Sequence, residues 1–281
     1  MRRDLFGVGL AAGAGLTALL GYARYIEPQW FQVKRVQLRL PRLDRAFDGY
    51  RIAQISDVHF DDWITVDQLA RAVALVNRQK PDLIVFTGDF VSNGRLRPEN
   101  AAALTETLKA LTAPDGVVAI FGNHDYYAKR RAIPQLETIM RDSHMRSLNN
   151  AVMTLKRKGA TLHIAGVDDL IAAEMRLDLV LDALPEEGAA VLLAHEPDIA
   201  DFSAATGRFD VQLSGHTHDG QVNIAFLRRL VLPMYGRRYV AGLHRVKEMQ
   251  LYVNRGLGTV SIPFRLNARP EITLITLRHT R

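Results

Sequence analysis

Short apolar runs that stop abruptly set the rhythm of this chain. "YRIAQISDVHF" (50–60), "PDLIVFTGDF" (81–90), "GVVAIFGNHDY" (116–126), "AAVLLAHEP" (189–197) and "FDVQLSGHTH" (209–218) each pass from a run rich in Val, Ile and Leu straight into a polar cluster. Apolar runs this short read as buried strands. Between the early runs the period becomes helical. Thr65 to Asn77 is apolar at 66, 69, 70, 73 and 76, and Thr65 and Gln68 have the spacing of a capping box. Pro98 to Leu111 places Leu104, Leu108 and Leu111 on one face. Strands alternating with helices predict an α/β core. Residues 209–281 are strand-like with few helical patterns, which predicts a mixed sheet. No internal repeat or low-complexity segment interrupts the pattern.

The first 25 residues follow another rule. Arg2 and Arg3 precede an uncharged run from Leu5 to Ala23, close to the roughly 20 residues that span a bilayer. Paired arginines ahead of apolar residues resemble a twin-arginine export signal, and no clear cleavage site follows. Residues 1–25 are therefore expected to be a twin-arginine-like signal or membrane anchor, which puts the protein at the cytoplasmic (inner) membrane. The run holds five Gly and five Ala, so it is weakly apolar. Arg24, Lys34, Arg35, Arg39 and Arg42 follow it and oppose export by the positive-inside rule, whereas the twin arginines favour it. Residues 26–44 read as a tether and a first strand, "FQVKRVQLRL", and 45–281 as the main folded domain.

Composition narrows the chemistry. With 281 residues, 48% of them hydrophobic, the chain can build a large core. It has no cysteine, which excludes disulfides, thiolate zinc sites and a cysteine nucleophile. A net charge of +6 favours anionic partners without choosing among phosphates, acidic membranes and nucleic acids. Aromatics are only 7% and are not interleaved with basic residues, so no nucleic-acid partner is expected.

The polar clusters that end the strands offer Asp57 and His59; Asp89; Asn123, His124 and Asp125; His195; and His216 and His218. Open α/β sheets bind ligands at the carboxyl ends of their strands, so these clusters can converge on one rim. Any one of them alone reads more simply as a turn carboxylate, a cap or a surface histidine. Together they hold five of the nine histidines, and the spacings of 32 (Asp57 to Asp89) and 34 (Asp89 to Asn123) suit successive strand–helix–strand units. Carboxylate oxygen and imidazole nitrogen suit divalent ions. In an extended strand, Asp57-x-His59 and His216-x-His218 would each point two side chains the same way. Seven candidate ligands are too many for one ion and suit two, which about 3.5–4 Å apart can clamp a phosphate and activate a water. His144, His163, His244 and His279 fall outside the pattern and read as structural or surface residues.

The motif order D-x-H, G-D, G-N-H-D, H, G-H-x-H resembles the calcineurin-like metallophosphoesterases over residues 45 to 281. The resemblance implies a four-layer α/β sandwich of two mixed sheets flanked by helices (metallo-dependent phosphatase-like), here with an N-terminal membrane or export helix. It implies two divalent ions (Mn²⁺, Zn²⁺ or Fe), one held by Asp57, His59, Asp89 and His218, the other by Asp89, Asn123, His195 and His216. His124 would contact the phosphate and assist the leaving group, with Asp125 orienting His124. The leader, "DGYRIAQISDVHF", G-H-T-H-x-G-Q and "VNRGLG…PFRLNARPEI" are similar to a bacterial membrane-associated branch, the YkuE/YaeI-like phosphodiesterases, itself similar to UDP-2,3-diacylglucosamine pyrophosphatases of lipid A synthesis. That branch reads G-H-T-H-G-G-Q, so Asp219 is a departure, either a tolerated turn residue or one that tunes the site. The Arg-rich stretch 226–245 reads either as a grip for a second phosphate or acidic headgroup, or as a solvated basic face. The expected activity is a two-metal phosphohydrolase acting as a monomer on a phosphoester, or on a lipid-linked diphosphate. A nuclease and a non-catalytic metal-binding module are the other readings.

Overall fold

A computed structural model describes residues 2–280 apart from 61, 95, 128–131 and 225–226, with side chains from residue 12 onward except that of Leu227. The side chains of Arg2 and Arg3, and Phe226 at the head of the Arg-rich stretch, lie outside the described residues. The chain runs α1 (Arg2–Gly21), β1 (Gln32–Leu40), β2 (Arg51–Ile55), α2 (Val66–Arg78), β3 (Leu83–Thr87), α3 (Pro98–Lys109), β4 (Val117–Ile120), α4 (Asn123–Tyr126), α5 (Ile133–Asp142), β5 (Met145–Ser147), β6 (Ala151–Arg157) and β7 (Ala160–Gly166). It continues through α6 (Leu177–Ala183), β8 (Ala189–Leu193), α7 (Ala200–Ala205), β9 (Val211–Ser214), α8 (Leu227–Val231), β10 (Gly242–Val246), β11 (Met249–Val253) and β12 (Glu271–His279).

These strands form two six-stranded mixed sheets, ordered β1-β12-β2-β3-β4-β5 and β10-β11-β9-β8-β7-β6. In the first, β2 to β5 are parallel and β12 runs antiparallel to β2. In the second, β7, β8, β9 and β11 are parallel, with β6 and β10 antiparallel at the edges. The sheets pack face to face through a core that includes Ile52, Val85 and Ile120 from one and Ile164, Val191 and Leu213 from the other. The outer face of the first sheet is covered by α2, α3 and α5, through residues such as Leu69, Leu104 and Leu136. That of the second is covered by α6 and α7, through Val180 and Ala204. The order helix, sheet, sheet, helix is the expected four-layer sandwich. Strands buried on both faces need the continuous Val/Ile/Leu runs seen in the sequence.

The expected helices form for the reasons read from the pattern. Thr65 caps α2 with a complete capping box to Gln68, and Leu69, Ala72, Val73 and Val76 are its buried stripe. Pro98 opens α3, where its missing N–H costs nothing, and Leu104 and Leu108 face the core. The N-terminal segment differs from expectation. A helix forms over Arg2–Gly21, but among the described residues no helix is long and apolar enough to cross a membrane. Five glycines and five alanines supply too little apolar side chain for a span. Residues 22–29 pack against the folded domain. Ala23 and Glu27 are buried, Arg265 N–H donates to the Ala23 carbonyl (2.9 Å), and Ala268 N–H donates to Glu27 Oε1 (2.7 Å).

Candidate metal centre

All five polar endings arrive at one rim. Asp57 and His59 follow β2, Asp89 follows β3, Asn123 opens α4 after β4, His195 follows β8, and His216 and His218 follow β9. The rim is therefore shared by both sheets, three strands from one and two from the other. The route differs from a simple period of two. Asp57, His59, Asp89, His216 and His218 lie beyond their strands with φ between +50° and +73°. A run of left-handed turns, not an extended strand, brings the paired side chains together. Each such non-glycine residue carries strain of order 1–3 kcal/mol, which the surrounding structure must hold. The turns hold one another: Val58 N–H donates to the Asp89 carbonyl (2.8 Å) and Asp57 N–H to the Gly88 carbonyl (2.9 Å).

Two groups of possible ligands result, Asp57–His59–His218 and Asp89–His195–His216, each with its ligand atoms within 4.8 Å of one another and all buried. The outer nitrogen of each ring is tied to the protein. His59 Nδ1 meets Ser92 Oγ (2.9 Å), His195 Nδ1 meets the Thr87 carbonyl (2.7 Å), His216 Nε2 meets the Met234 carbonyl (2.8 Å), and Arg265 reaches His218 Nδ1 (3.3 Å). The opposite nitrogens crowd the centre: His59 Nε2 is 3.0 Å from His218 Nε2, and His195 Nε2 is 3.2 Å from His216 Nδ1. Outer-nitrogen anchoring of this kind fixes tautomer and ring orientation in metal sites. Asp89 lies between the groups, its Oδ2 3.1 Å from His195 Nε2 and 3.6 Å from His59 Nε2.

The donor set fits divalent ions on an observation of its own. Asn123 Oδ1 is buried with no hydrogen-bond partner among the described residues, while its amide nitrogen donates to Tyr127 Oη (2.5 Å). A buried carbonyl oxygen of that kind costs about 1–3 kcal/mol unless something fills the gap. The charge balance is equally tight. Burial pushes His59 down to about 3 and His216 down to about 4. Burial would also lower His195, but Asp89 beside it raises it well above the ordinary histidine value. Burial would raise Asp57, yet His218 brings it down to about 2. Against the same effect of burial, His195 and His124 draw Asp89 below the ordinary carboxylate range.

His124 stands at the edge of a cleft of about 480 Å³ that also exposes Asp89, Asn123, His216 and His218. Its Nδ1 donates to the Ser92 carbonyl (2.7 Å), which leaves Nε2 for a ligand. Asp125 does not orient it, contrary to expectation. The Asp125 carboxylate instead accepts from the N–H groups of Asp89 (3.1 Å), Phe90 (2.9 Å), Val91 (3.2 Å) and Gly122 (3.0 Å). Its position at the start of a short helix turns it back onto the backbone, where it pins the Asp89 loop. Gly88 and Gly122 are needed where these loops cross: a Cβ on Gly88 would lie 2.5 Å from His195 Nδ1, and one on Gly122 would strike the Asp89 carboxylate.

Three supporting residues escaped the sequence reading. Ser92 anchors both His59 and His124, Tyr127 holds Asn123, and Arg265, fully buried, braces His218 and the carbonyls of Arg255 and Ala268. Each is an ordinary residue in the sequence; Ser92 and Arg265 are buried, whereas Tyr127 is half exposed. The Arg-rich stretch is largely engaged within the protein: Arg228 pairs with Asp219, Arg238 with Asp201 and Arg245 with Glu248. His163 lies in β7 between Thr154 Oγ1 and the Glu187 carbonyl (2.9 Å each), a strand histidine as expected.

Comparison with known proteins agrees with the geometry. Over 74% of its length the fold superposes on 90% of TT1561 of Thermus thermophilus, with a TM-score of 0.50 and 13% identity. The chain is 37% identical over 281 residues to the uncharacterized metallophosphoesterase YkuE of Bacillus subtilis, covering 99% of this chain and 96% of that one. It is 30% identical to the phosphodiesterase YaeI of Escherichia coli, covering 95% and 96%. It is 27% identical to the UDP-2,3-diacylglucosamine pyrophosphatase LpxG of Chlamydia trachomatis, covering 95% and 98%. Residues 50–220, which carry every strand ending that reaches the rim, match the calcineurin-like phosphoesterase family, and the chain belongs to it.

Proposed function

We propose that this protein is a two-metal phosphodiesterase that hydrolyses a phosphoester by in-line attack of water. The observation that carries the reading is the pair of adjoining ligand groups that meet at Asp89. Asp57, His59, Asp89 and His218 would hold one ion, and Asp89, Asn123, His195 and His216 the other; manganese, zinc and iron all suit these ligands. Two such ions supply Lewis acidity toward a phosphoryl group and lower the pKa of water. His124, fixed by the Ser92 carbonyl, is the general acid candidate for the leaving oxygen and the group that contacts the phosphate. Asp125 keeps the Asp89 loop in register, and the cleft admits one substituent of the diester beside the metal ligands.

The support for a diester is the likeness to YaeI over nearly the whole of both chains. A second reading, a pyrophosphatase acting on a UDP-diacylglucosamine-type lipid, has the likeness to LpxG behind it. We further propose that the protein acts as a monomer at the cytoplasmic membrane, associated through its N-terminal segment. Arg2 and Arg3 and the uncharged run after them support this, as do Leu16, Leu19, Leu20, Tyr25 and Ile26, whose side chains are exposed.

The test is hydrolysis of bis-p-nitrophenyl phosphate by purified protein supplied with Mn²⁺ or Zn²⁺, with bound metal counted by elemental analysis. Two ions per chain and turnover are expected, and Asp89→Ala should lose more than about 100-fold of the rate. Full activity in that variant would refute the mechanism.

A further inference from the structure

The residue after the last metal ligand is a buried acid with nothing catalytic to do. Asp219 is fully buried, has φ +55°, and belongs to neither ligand group. Its carboxylate pairs with Arg228 on α8 and with Arg255 after β11 (3.1 Å), and accepts from Asn223 Nδ2 (3.1 Å). Gly220, next in sequence, lies directly beneath α8: a Cβ there would come within 3.0 Å of Arg228 and 3.4 Å of Val231. Helix α8 is too short to stand alone, so this ion cluster ties it to the His218 turn. A second tie lies beyond the helix, where the Met234 carbonyl meets His216 and the Tyr235 carbonyl accepts from Asp198 N–H (3.0 Å).

What these ties hold in place is one wall of the cleft. Val231, Pro233 and Met234 form it, and Val222, Val260 and Ile262 continue it, directly beside Asp89, His124 and His218. Val231, Met234 and Ile262 are about half exposed, at 56%, 56% and 46%. Arg228, on the helix that leads into this wall, pairs with Asp219, and the wall residues that face the cleft are apolar. An apolar surface continuous with a phosphate site fits an ester whose second substituent is an alkyl chain or another apolar group.

We propose that Asp219 is a specificity-positioning residue. Through Arg228 and Arg255 it fixes the 228–234 segment as an apolar wall, and that wall binds the apolar substituent of the phosphodiester. The assignment rests on the phosphodiesterase reading for its chemistry and on the cleft for its selectivity. The left-handed backbone at 219 suits glycine, so Asp219→Gly removes the ion pairs while relaxing the turn.

The experiment compares octyl and methyl p-nitrophenyl phosphate on metal-loaded, full-length protein, with calorimetric binding of octylphosphonate and methylphosphonate as a second readout. The unsubstituted protein should prefer the octyl ester in kcat/KM by about tenfold or more. In Asp219→Gly the preference should fall towards one, chiefly through a higher KM for the octyl ester. Met234→Ser, which leaves the ion pairs intact, should cause the same loss and carries the test should Asp219→Gly lose its cooperative melting transition. Equal handling of the two esters by the unsubstituted protein overturns the proposal. So does a fall in kcat by one factor on both esters in Asp219→Gly, which would place Asp219 in control of His218 instead. Preferential binding of octylphosphonate without turnover of either ester would count against the phosphodiesterase reading and uphold the wall.

Discussion

At the scale of single residues, the site depends on side chains whose task is to hold others. Asp125 is the plainest case. Four backbone N–H groups converge on it, and replacing it by Ala leaves them buried without an acceptor. A loss of about 3 kcal/mol or more in urea unfolding is expected, together with loss of activity, because the Asp89 loop is no longer pinned. Ser92→Ala should be milder. It removes the hydroxyl against His59 Nδ1 and keeps the carbonyl that orients His124, so metal affinity measured by chelator competition should fall roughly 10–100-fold. The candidate ligands stood out in the sequence and these supports did not, for one physical reason. A ligand needs a chemically distinctive side chain, whereas Ser92, Tyr127 and Arg265 need only a position. Asp125 shows the same limit from the other direction, since its neighbour in sequence suggested a partner that its helical turn denies it.

At the scale of elements, every strand that ends at the rim was visible as an apolar run, α2 was visible with its cap and α3 by its apolar face. Burial on both faces leaves a continuous signal that survives without any knowledge of the partner strand. The turns were less legible. The period-two reading of Asp57-x-His59 and His216-x-His218 named the right pairs for a reason the structure replaces, because left-handed φ values are a tertiary constraint and leave little trace in residues other than glycine. Gly122 is the exception that can be tested. Adding a methyl group in Gly122→Ala displaces the Asp89 carboxylate, so bound metal should drop below two ions per chain while circular dichroism still reports a folded protein. Thr65→Ala, at the cap of α2 and away from the rim, should cost only about 1 kcal/mol in thermal or urea unfolding.

At the scale of the whole molecule, the proposed metal ligands join the two sheets. Asp57, His59, Asp89 and Asn123 come from one, and His195, His216 and His218 from the other. Ions bound there would stabilise the sandwich by linkage, by about 2.7 kcal/mol per site at a hundredfold excess over Kd. Melting in EDTA should therefore occur at a lower temperature than melting in Mn²⁺, and an unchanged Tm would show that the sheets do not depend on the site. The α/β core followed from strand and helix order, and the four-layer arrangement from the family resemblance. The pairing that brings the last strand into the first sheet did not, because β12 pairs with β1 and β2 across more than 200 residues and no local pattern records such a partner.

That late pairing has a kinetic consequence. Because β12 runs antiparallel to β2 and β1 runs parallel to β12, the chain enters the sandwich at Gln32 on the same side as the carboxyl end of β2, the side of the rim. Ala23 and Glu27 fasten the preceding segment to the loop that carries Arg265. Whatever holds the N-terminus thus holds the cleft near it and facing a fixed way. On the membrane association proposed above, a substrate dissolved in that membrane would be met by a two-dimensional search through lateral diffusion, and the rate would follow the number of substrate molecules per unit area, not per unit volume.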